Sequence, residues 1–559
     1  MEKTMNHSNP STNKDKALRN DTTDEEEVDE EHNKWQKLNF VSRARYIFNN
    51  ISVEPLLGFY IVSSVLGSLT TQNLNLQKAC RVNLNMSDAV CTALEKRMKS
   101  NFTSDDEARV QELVTDMTMW QSIIQHTVPC IFVVFIGSWS DRTRRRKPVL
   151  LLPICGELVR VLGLLVCVYY FYELPMEVAG LVESLPSSLT GGWMIMFMAV
   201  FTYISDVTTV KMRTLRIGIL NLSLTIGISF GVALSGIMYQ KLGFYGIYSV
   251  CATMYTTGLI YGIIYLKDKR TNKPDNEAPA VCQDSKILAV KKTSFFTNAK
   301  DFFDLKHIKN AFGVTFKKGN DNRRLRIIMM MLVLMIIMGP MTGEMSVMYL
   351  STRKRFNWDE VKYSMFSAFT MVTGFIGTSF SLWILSHKLQ IDDTLIAVMA
   401  CCSKVIGSFV FAFAPNEVIF FLGSIVEIIH GAGSIATRSI FTKLVTPDEL
   451  GQVSAVVAVC EAFVPMVYVP MYSAFYKATM KTFPGAYFLL GGGLTIPAIF
   501  IFLWMYKGNK ERARRQEENK TTIMQKKPDD TISISKTYGT SEKNGFTNLA
   551  FQSSDCTKN

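Results

Sequence analysis

Gly137-Ser-Trp-Ser-Asp141-Arg142-Thr-Arg-Arg145-Arg146-Lys147 closes one long apolar stretch and opens the next. A glycine at the end of an apolar span lets a second helix approach closely. Asp141 offers a carboxylate to the positive ends of neighbouring helices, and the arginine cluster bridges adjacent loops by charge-assisted hydrogen bonds. So much basic charge in a short turn between two membrane spans stays in the cytoplasm. The stretch therefore reads as a cytoplasmic turn between two transmembrane helices.

Working outward, the apolar material repeats at the length a bilayer demands, since about 30 Å of hydrocarbon takes about 20 residues at about 1.5 Å each. Spans fall at 51–71, 115–138, 149–171, 180–204, 216–239 and 244–266, then at 326–350, 361–385, 394–414, 417–441, 452–475 and 485–506. The expected fold is thus an all-α membrane protein of about 12 helices in two six-helix halves, 51–266 and 326–506, separated by a polar linker at 267–325. Tails at 1–50 and 507–559 lie on one side because the span count is even. Residues 1–35 carry the acidic run Asp24–Glu31 and lack a basic n-region with a short apolar core, so the first helix is expected to be its own insertion signal. Residues 295–318, with paired aromatics and interspersed lysines, read either as an amphipathic helix on the inner leaflet or as ordinary polar linker.

Composition agrees: hydrophobic residues make up 48% of 559. The net charge of +12 sits in short segments between spans, which implies positive-inside topology and no nucleic-acid polymer as partner. Lys211, Arg213, Lys507, Arg512, Arg514 and Arg515 fall on the same face as the arginine turn, making it cytoplasmic; Arg353, Lys354 and Arg355, after the seventh span, are the exception. The long loop 72–114 then lies outside, where its two sequons, at Asn85 and Asn101, are open to glycosylation. Cys80 and Cys91 share that oxidising side and either close a small disulfide loop or remain free thiols. The 11 cysteines show no paired spacing for a metal, and no cofactor is implied.

The arginine turn resembles the G-x-x-x-D-R-x-G-R-R/K signature of the major facilitator superfamily, with Arg144 where that signature has glycine. Tyr203-Ile-Ser-Asp206-Val207, Arg213-Thr-Leu-Arg216 and Arg438-Ser-Ile-Phe-Thr-Lys443-Leu-Val, together with the turn, are similar to solute carrier family 46, which includes the proton-coupled folate transporter. That resemblance implies transport of an organic anion such as a folate, a muropeptide or a cyclic dinucleotide, commonly with proton coupling. Asn221 stands on the fifth span where the folate carrier has an acid, and the loop after the seventh span has no cysteine.

Ionisable residues deep in a bilayer mark substrate and ion paths, because they are costly there. Arg160, Lys404, Glu427 and Glu461 each lie about ten residues into their spans, roughly 15 Å, which is midplane. Arg160 and Lys404 are candidates to hold an anionic group, with Arg160 alternatively bridged to Glu157 one turn away. Glu427 with His430 suits a proton relay or a packing pair, and Glu461, followed by Pro465 and Pro470, is the leading proton carrier. Gly339-Pro340-Met-Thr-Gly343-Glu344 reads as a helix break that places Glu344 in the outer half of the membrane beside the substrate. Gly137, Asp141, Arg142, Arg145, Arg146, Asp206 and Arg438 are the residues expected to govern conformational change, and Glu183, Asp206 and Arg438, near helix ends, read either as gate pairs or as charges that helix ends tolerate freely.

No P-loop or HExxH occurs, and Gly227-Ile-Ser-Phe-Gly231 lies inside an apolar span, where its small-residue spacing suits close helix packing and marks no hydrolase, so a gradient drives the cycle and the chain is not expected to be an enzyme. The two function classes carried forward are a secondary transporter and a transporter-like receptor that binds without flux. Neither tail shows a tyrosine-based or acidic dileucine signal, which points to the plasma membrane over the lysosome. The topology predicts that glycosidase treatment raises gel mobility and that replacing both Asn85 and Asn101 abolishes the shift. A full shift persisting in that double variant would overturn the assigned sidedness.

Overall fold

The computed structural model describes residues 52–143, 145–208, 210–266, 323–445 and 450–525, with residues 313, 316 and 317 besides, and these contain no strand. The acidic tail, most of the linker with its 295–318 stretch, the last residues of the chain and the side chains of Asp141, Arg142, Lys211 and Arg213 lie outside the described residues.

In the first half, α1 (Glu54–Lys78) starts on a proline in its first turn and runs into a π-turn, Ala79–Asn83. The short α2 (Asp88–Glu95) is capped by Ser87, whose hydroxyl accepts from the Val90 N–H. Then come α3 (Ser104–Thr143), α4 (Lys147–Tyr169), α5 (Met176–Thr190), α6 (Gly192–Val207) and α7 (Val210–Tyr265). Gly191 and Gly192, with φ of 84° and 47°, supply the left-handed backbone that separates α5 from α6 inside the span expected at 180–204. Gly243, with φ of 62°, breaks α7 between the two spans expected there.

The second half comprises α8 (Arg323–Phe356), α9 (Glu360–Phe380) with its π-turn Ser381–Lys388, α10 (Asp393–Phe413), α11 (Glu417–Val426), α12 (His430–Leu444), α13 (Leu450–Thr479) and α14 (Ala486–Gln525). From Lys507 onward the chain forms a unit of its own, with an Arg514–Glu518 pair at 3.0 Å.

Ten segments among the described residues are long and apolar enough to cross a membrane. One of them, Arg216–Tyr265, holds two of the expected spans, and α1 is the remaining expected span. The polar last turns of α1 explain why it is not among the ten. They also correct the expected loop at 72–114, which is helical to Asn83 and again from Ser104. Hydropathy misses this because Asn73, Asn75 and Lys78 face protein: Asn73 accepts from Tyr349 at 2.6 Å, Asn75 donates to Glu183 at 3.3 Å, and the Lys78 ammonium donates to the Phe171 and Leu174 carbonyls at 2.7 Å.

A second correction concerns Gly339-Pro340-Met-Thr-Gly343: α8 runs through it without a break. The two glycines serve approach, since a Cβ on Gly339 would strike the Tyr468 ring and one on Gly343 the Tyr472 ring of α13. The interruption falls instead on the tenth span between α11 and α12: the Glu427 N–H still donates to the Gly423 carbonyl at 2.9 Å, and the turn then tightens through Ile428 to Ile425 at 3.3 Å and His430 to Glu427 at 2.9 Å.

Each half has its own apolar core, and a third cluster joins them at the sequon-bearing end, where Cys80, Cys91, Leu94 and Ala108 pack with Tyr349, Trp358, Tyr472 and Tyr476. Polar contacts between the halves gather at the same end. Arg353 donates to Tyr349 at 2.8 Å, to Glu360 at 3.1 Å and to the Leu94 carbonyl at 2.9 Å; Arg97, paired with Glu107 at 2.8 Å, donates to the Arg353 carbonyl. Gln111 reaches the Leu350 carbonyl at 3.0 Å, and Lys477 pairs with Asp116 at 2.7 Å. Burial and the neighbouring Arg353 draw the Arg97 guanidinium below its ordinary range. At the arginine-turn end, the ion pairs Arg146–Asp206, Arg216–Glu54 and Lys443–Asp393 each stay within one half.

Candidate site: a buried lysine between two carboxylates

Lys404 lies midway along α10, and its side chain is 2% exposed. An isolated ammonium buried this deeply is strongly disfavoured, so it must be paired. It is paired twice: Nζ is 2.7 Å from Glu344 on α8 and 2.9 Å from Glu427 at the end of α11. Glu344 is 6% exposed and Glu427 17%, so the second carboxylate is the more accessible one.

Local structure builds this contact from both sides. Glu427 caps the end of α11 and approaches α10 at Gly407, which makes room; a Cβ there would sit 3.0 Å from the Cβ of Glu427. Gly491 on α14 clears space over Glu344, whose Oε1 would otherwise meet a Cβ. That Oε1 has no hydrogen-bond partner, and the hydroxyls of Tyr472, Tyr487, Ser408 and Ser473 are likewise buried and unpartnered among the described residues. The site thus holds one positive and two negative groups when all are ionised, with an acceptor left open. His430 opens α12, and its main-chain N–H donates to the Glu427 carbonyl at 2.9 Å.

The first half has a cluster of the same make-up. Arg160 on α4 donates through Nε to Glu157 at 2.6 Å, so of its two readings the structure displays the intrahelical bridge. Ser187 donates to the other oxygen of Glu157 at 2.7 Å and the Tyr255 hydroxyl to the first at 3.4 Å. Glu183 on α5 is the second carboxylate.

The remaining candidates lie elsewhere. Glu461 on α13 pairs one-to-one with Arg438 on α12 at 2.7 Å, with side chains 28% and 60% exposed. Arg146 donates to Asp206 at 2.6 Å and to Ser140 at 2.9 Å, tying the arginine turn to the end of α6; Arg145 offers its carbonyl to Ser140 at 3.3 Å. Gly137 approaches Met198 of α6, 3.1 Å from where a Cβ would stand. Cys80 and Cys91 are joined as a disulfide, Asn85 has φ of 45°, and Asn101 ends a single 3-10 turn.

Arg353 and Arg355 explain the exception in the charge pattern. They are not loop charges: Arg353 is buried in the contact between the halves at the sequon end, and Arg355 donates to the carbonyls of Phe411, Ala412 and Ala414 at 2.7–2.8 Å, satisfying the orphan end of α10. Sequence reasoning had missed Glu360, Tyr349 and Tyr472. The one signal available was that three basic residues stood on the wrong side.

Lys404→Met leaves two buried carboxylates unpaired and is expected to cost about 3–5 kcal/mol of stability. Adding Glu344→Gln and Glu427→Gln removes the stranded charge and should regain most of the loss, read as the thermal unfolding midpoint in detergent. Equal midpoints for the single and triple variants would contradict the pairing.

The sequence matches the Major Facilitator Superfamily model over residues 56–470. It is 26% identical over 472 residues to the lysosomal proton-coupled steroid conjugate and bile acid symporter SLC46A3 of Gallus gallus, covering 81% of this chain and 93% of that one. It is 22% identical over 455 residues to the probable peptidoglycan muropeptide transporter SLC46 of Drosophila melanogaster, covering 79% and 84%. The proton-coupled folate transporter of Rattus norvegicus is 22% identical over 394 residues, covering 70% and 79%. Among solved structures, the human organic anion transporter MFSD10 (TETRAN) aligns with a TM-score of 0.52 at 13% identity, over 80% of this chain and 98% of that one, and supports the fold. With its two helical halves and this match, the chain belongs to the Major Facilitator Superfamily, a class of membrane transporters and not enzymes, and within it is similar to solute carrier family 46.

Proposed function

We propose that the chain is a secondary active carrier that moves a small organic anion together with protons by alternating access, with Lys404 as the anion-binding cation. One observation carries this reading: Lys404 is shared by two carboxylates, and Glu427 is the more exposed of the two. While both are ionised, a third anion has no place at the ammonium. Protonation of Glu427 releases its share of Lys404, and a carboxylate or phosphate of the solute takes that share. The charge of the site is the same before and after, so uptake of proton and anion together is the low-cost exchange, and either alone is costly.

Glu461 serves this cycle less well, because its charge is already cancelled by Arg438. We therefore assign proton carriage to Glu427, with His430 beside it and Glu344 holding the lysine in place. Arg160, committed to Glu157, contributes field more than contact. The relatives' named substrates, namely muropeptides, steroid conjugates with bile acids, and folate, are all organic anions, which suits a lysine site. Contacts gathered at the sequon end fit a carrier closed on the outside, with Asp206–Arg146 and Arg438–Glu461 rearranging as it turns over. We carry forward cytoplasmic termini, a glycosylated outer face and the plasma membrane; the SLC46A3 relatives are named lysosomal, and in either membrane the sequon side faces away from the cytoplasm.

The test is uptake of labelled folate, a bile acid, a steroid sulfate and a muropeptide into vesicles at two external pH values. At least one should accumulate, faster when the outside is acidic, and the charge-balanced triple variant at Lys404, Glu344 and Glu427 should lose about 30-fold or more of that uptake. Saturable binding without flux would identify a receptor instead, and undiminished uptake in the triple variant would move the anion site.

A further inference from the structure

The first-half cluster carries one acid more than it has bases to hold. Arg160 and Glu157 close on each other at 2.6 Å, with Ser187 and Tyr255 completing the carboxylate's shell. Glu183 is left to neutral partners: Gln121 of α3 donates at 3.0 Å and Asn75 of α1 at 3.3 Å, both to Oε2. These come from helices packed against α5, and the other ionisable groups in its surroundings are Arg160 and Glu157 of α4 and Tyr248 of α7, whose hydroxyl is engaged with Thr71 at 3.1 Å.

A second observation is independent of charge. Asn75 is 5% exposed, and its Oδ1, the other end of the amide that reaches Glu183, has no donor among the described residues. The cluster is short of a donor and carries an uncancelled negative charge. A proton on Glu183 neutralises the carboxyl and adds an O–H beside an amide whose oxygen has no donor of its own. A half-turn of the Asn75 side chain, which exchanges the two ends of the amide, presents Oδ1 to that O–H.

We infer that Glu183 is a proton-binding site in the first half, separate from the Lys404 site and occupied as the neutral acid when the carrier is closed at the sequon end. The arrangement parallels the second half, where the cation also lies on the third membrane segment and an acid on the fourth: Arg160 with Glu183, Lys404 with Glu427. The inference concerns the other half of the molecule and goes beyond the proposed lysine chemistry. The carrier then takes up protons on both sides of its central axis.

Infrared titration of the full chain reconstituted in lipid vesicles tests this without any solute. The carbonyl stretch of protonated carboxylic acids should include a component at neutral pH that is lost in Glu183→Gln, and Asn75→Ala should shift the frequency of that component by removing its hydrogen-bond partner. Glu427→Gln, measured alongside, should remove a different component on acidification, so failure of the lysine chemistry is read separately. An unchanged protonated-acid band in Glu183→Gln overturns the inference. If that variant does not fold, a band indifferent to Asn75→Ala overturns it equally.

Discussion

Three helices of the second half meet at a single ammonium group. Lys404 draws Glu344 of α8 and Glu427 of α11 to within 3 Å, and much of the surrounding structure follows from the need to make that contact dry and close. Glycines at 339, 343, 407 and 491 remove side chains where α8, α10, α13 and α14 crowd together. The tenth span tightens from the α-helical ladder just after Glu427. Burying three charges is costly, and such a cluster is weak evidence for stability. Its make-up, two acids to one base, is better suited to a group that changes protonation than to a permanent brace.

Around this centre the halves are stapled in related ways with opposite sign. In the first, Arg146 at the start of α4 holds Asp206 at the end of α6; in the second, Asp393 at the start of α10 holds Ser439 and Lys443 near the end of α12, at 2.6 and 2.5 Å. Both staples act within a half. At the sequon end the pairs Arg97–Glu107 and Arg353–Glu360 also lie within one half each, but they are buried, and each guanidinium donates to a main-chain carbonyl of the other half. A carrier that alternates must break these cross-half hydrogen bonds and rebuild them, a cost offset only when the opposite end closes.

The twelve-span plan was legible because the bilayer imposes a length and an apolar composition that hydropathy reads directly. Where side chains are polar but face protein, that reading failed. The end of α1 looked like loop because Asn73, Asn75 and Lys78 are hydrophilic, although each is buried against a partner. Gly339-Pro340 looked like a break because both residues disfavour helix, yet ring packing from α13 uses the glycines and keeps the helix whole. Arg353 and Arg355 looked like topology charges and are instead bound to a distant helix end and to the contact at the sequon end. Depth counting did find Arg160, Lys404, Glu427 and Glu461 one by one, but not which acid would meet which base. Partner choice depends on helix rotation and crossing, and no span reports those by itself.

Competition between Glu427 and the solute for Lys404 is the central claim, and equilibrium binding measures it without flux or gradient. With whichever anion the carrier accepts, the affinity of the purified wild-type protein should fall steadily as pH rises. Glu427→Gln, which cannot reclaim the lysine as an anion, should bind as tightly at high pH as the wild type does at low pH and show little pH dependence. If Glu427→Gln keeps the wild-type pH profile, the proton that gates the anion is not on Glu427 and the account fails at its centre.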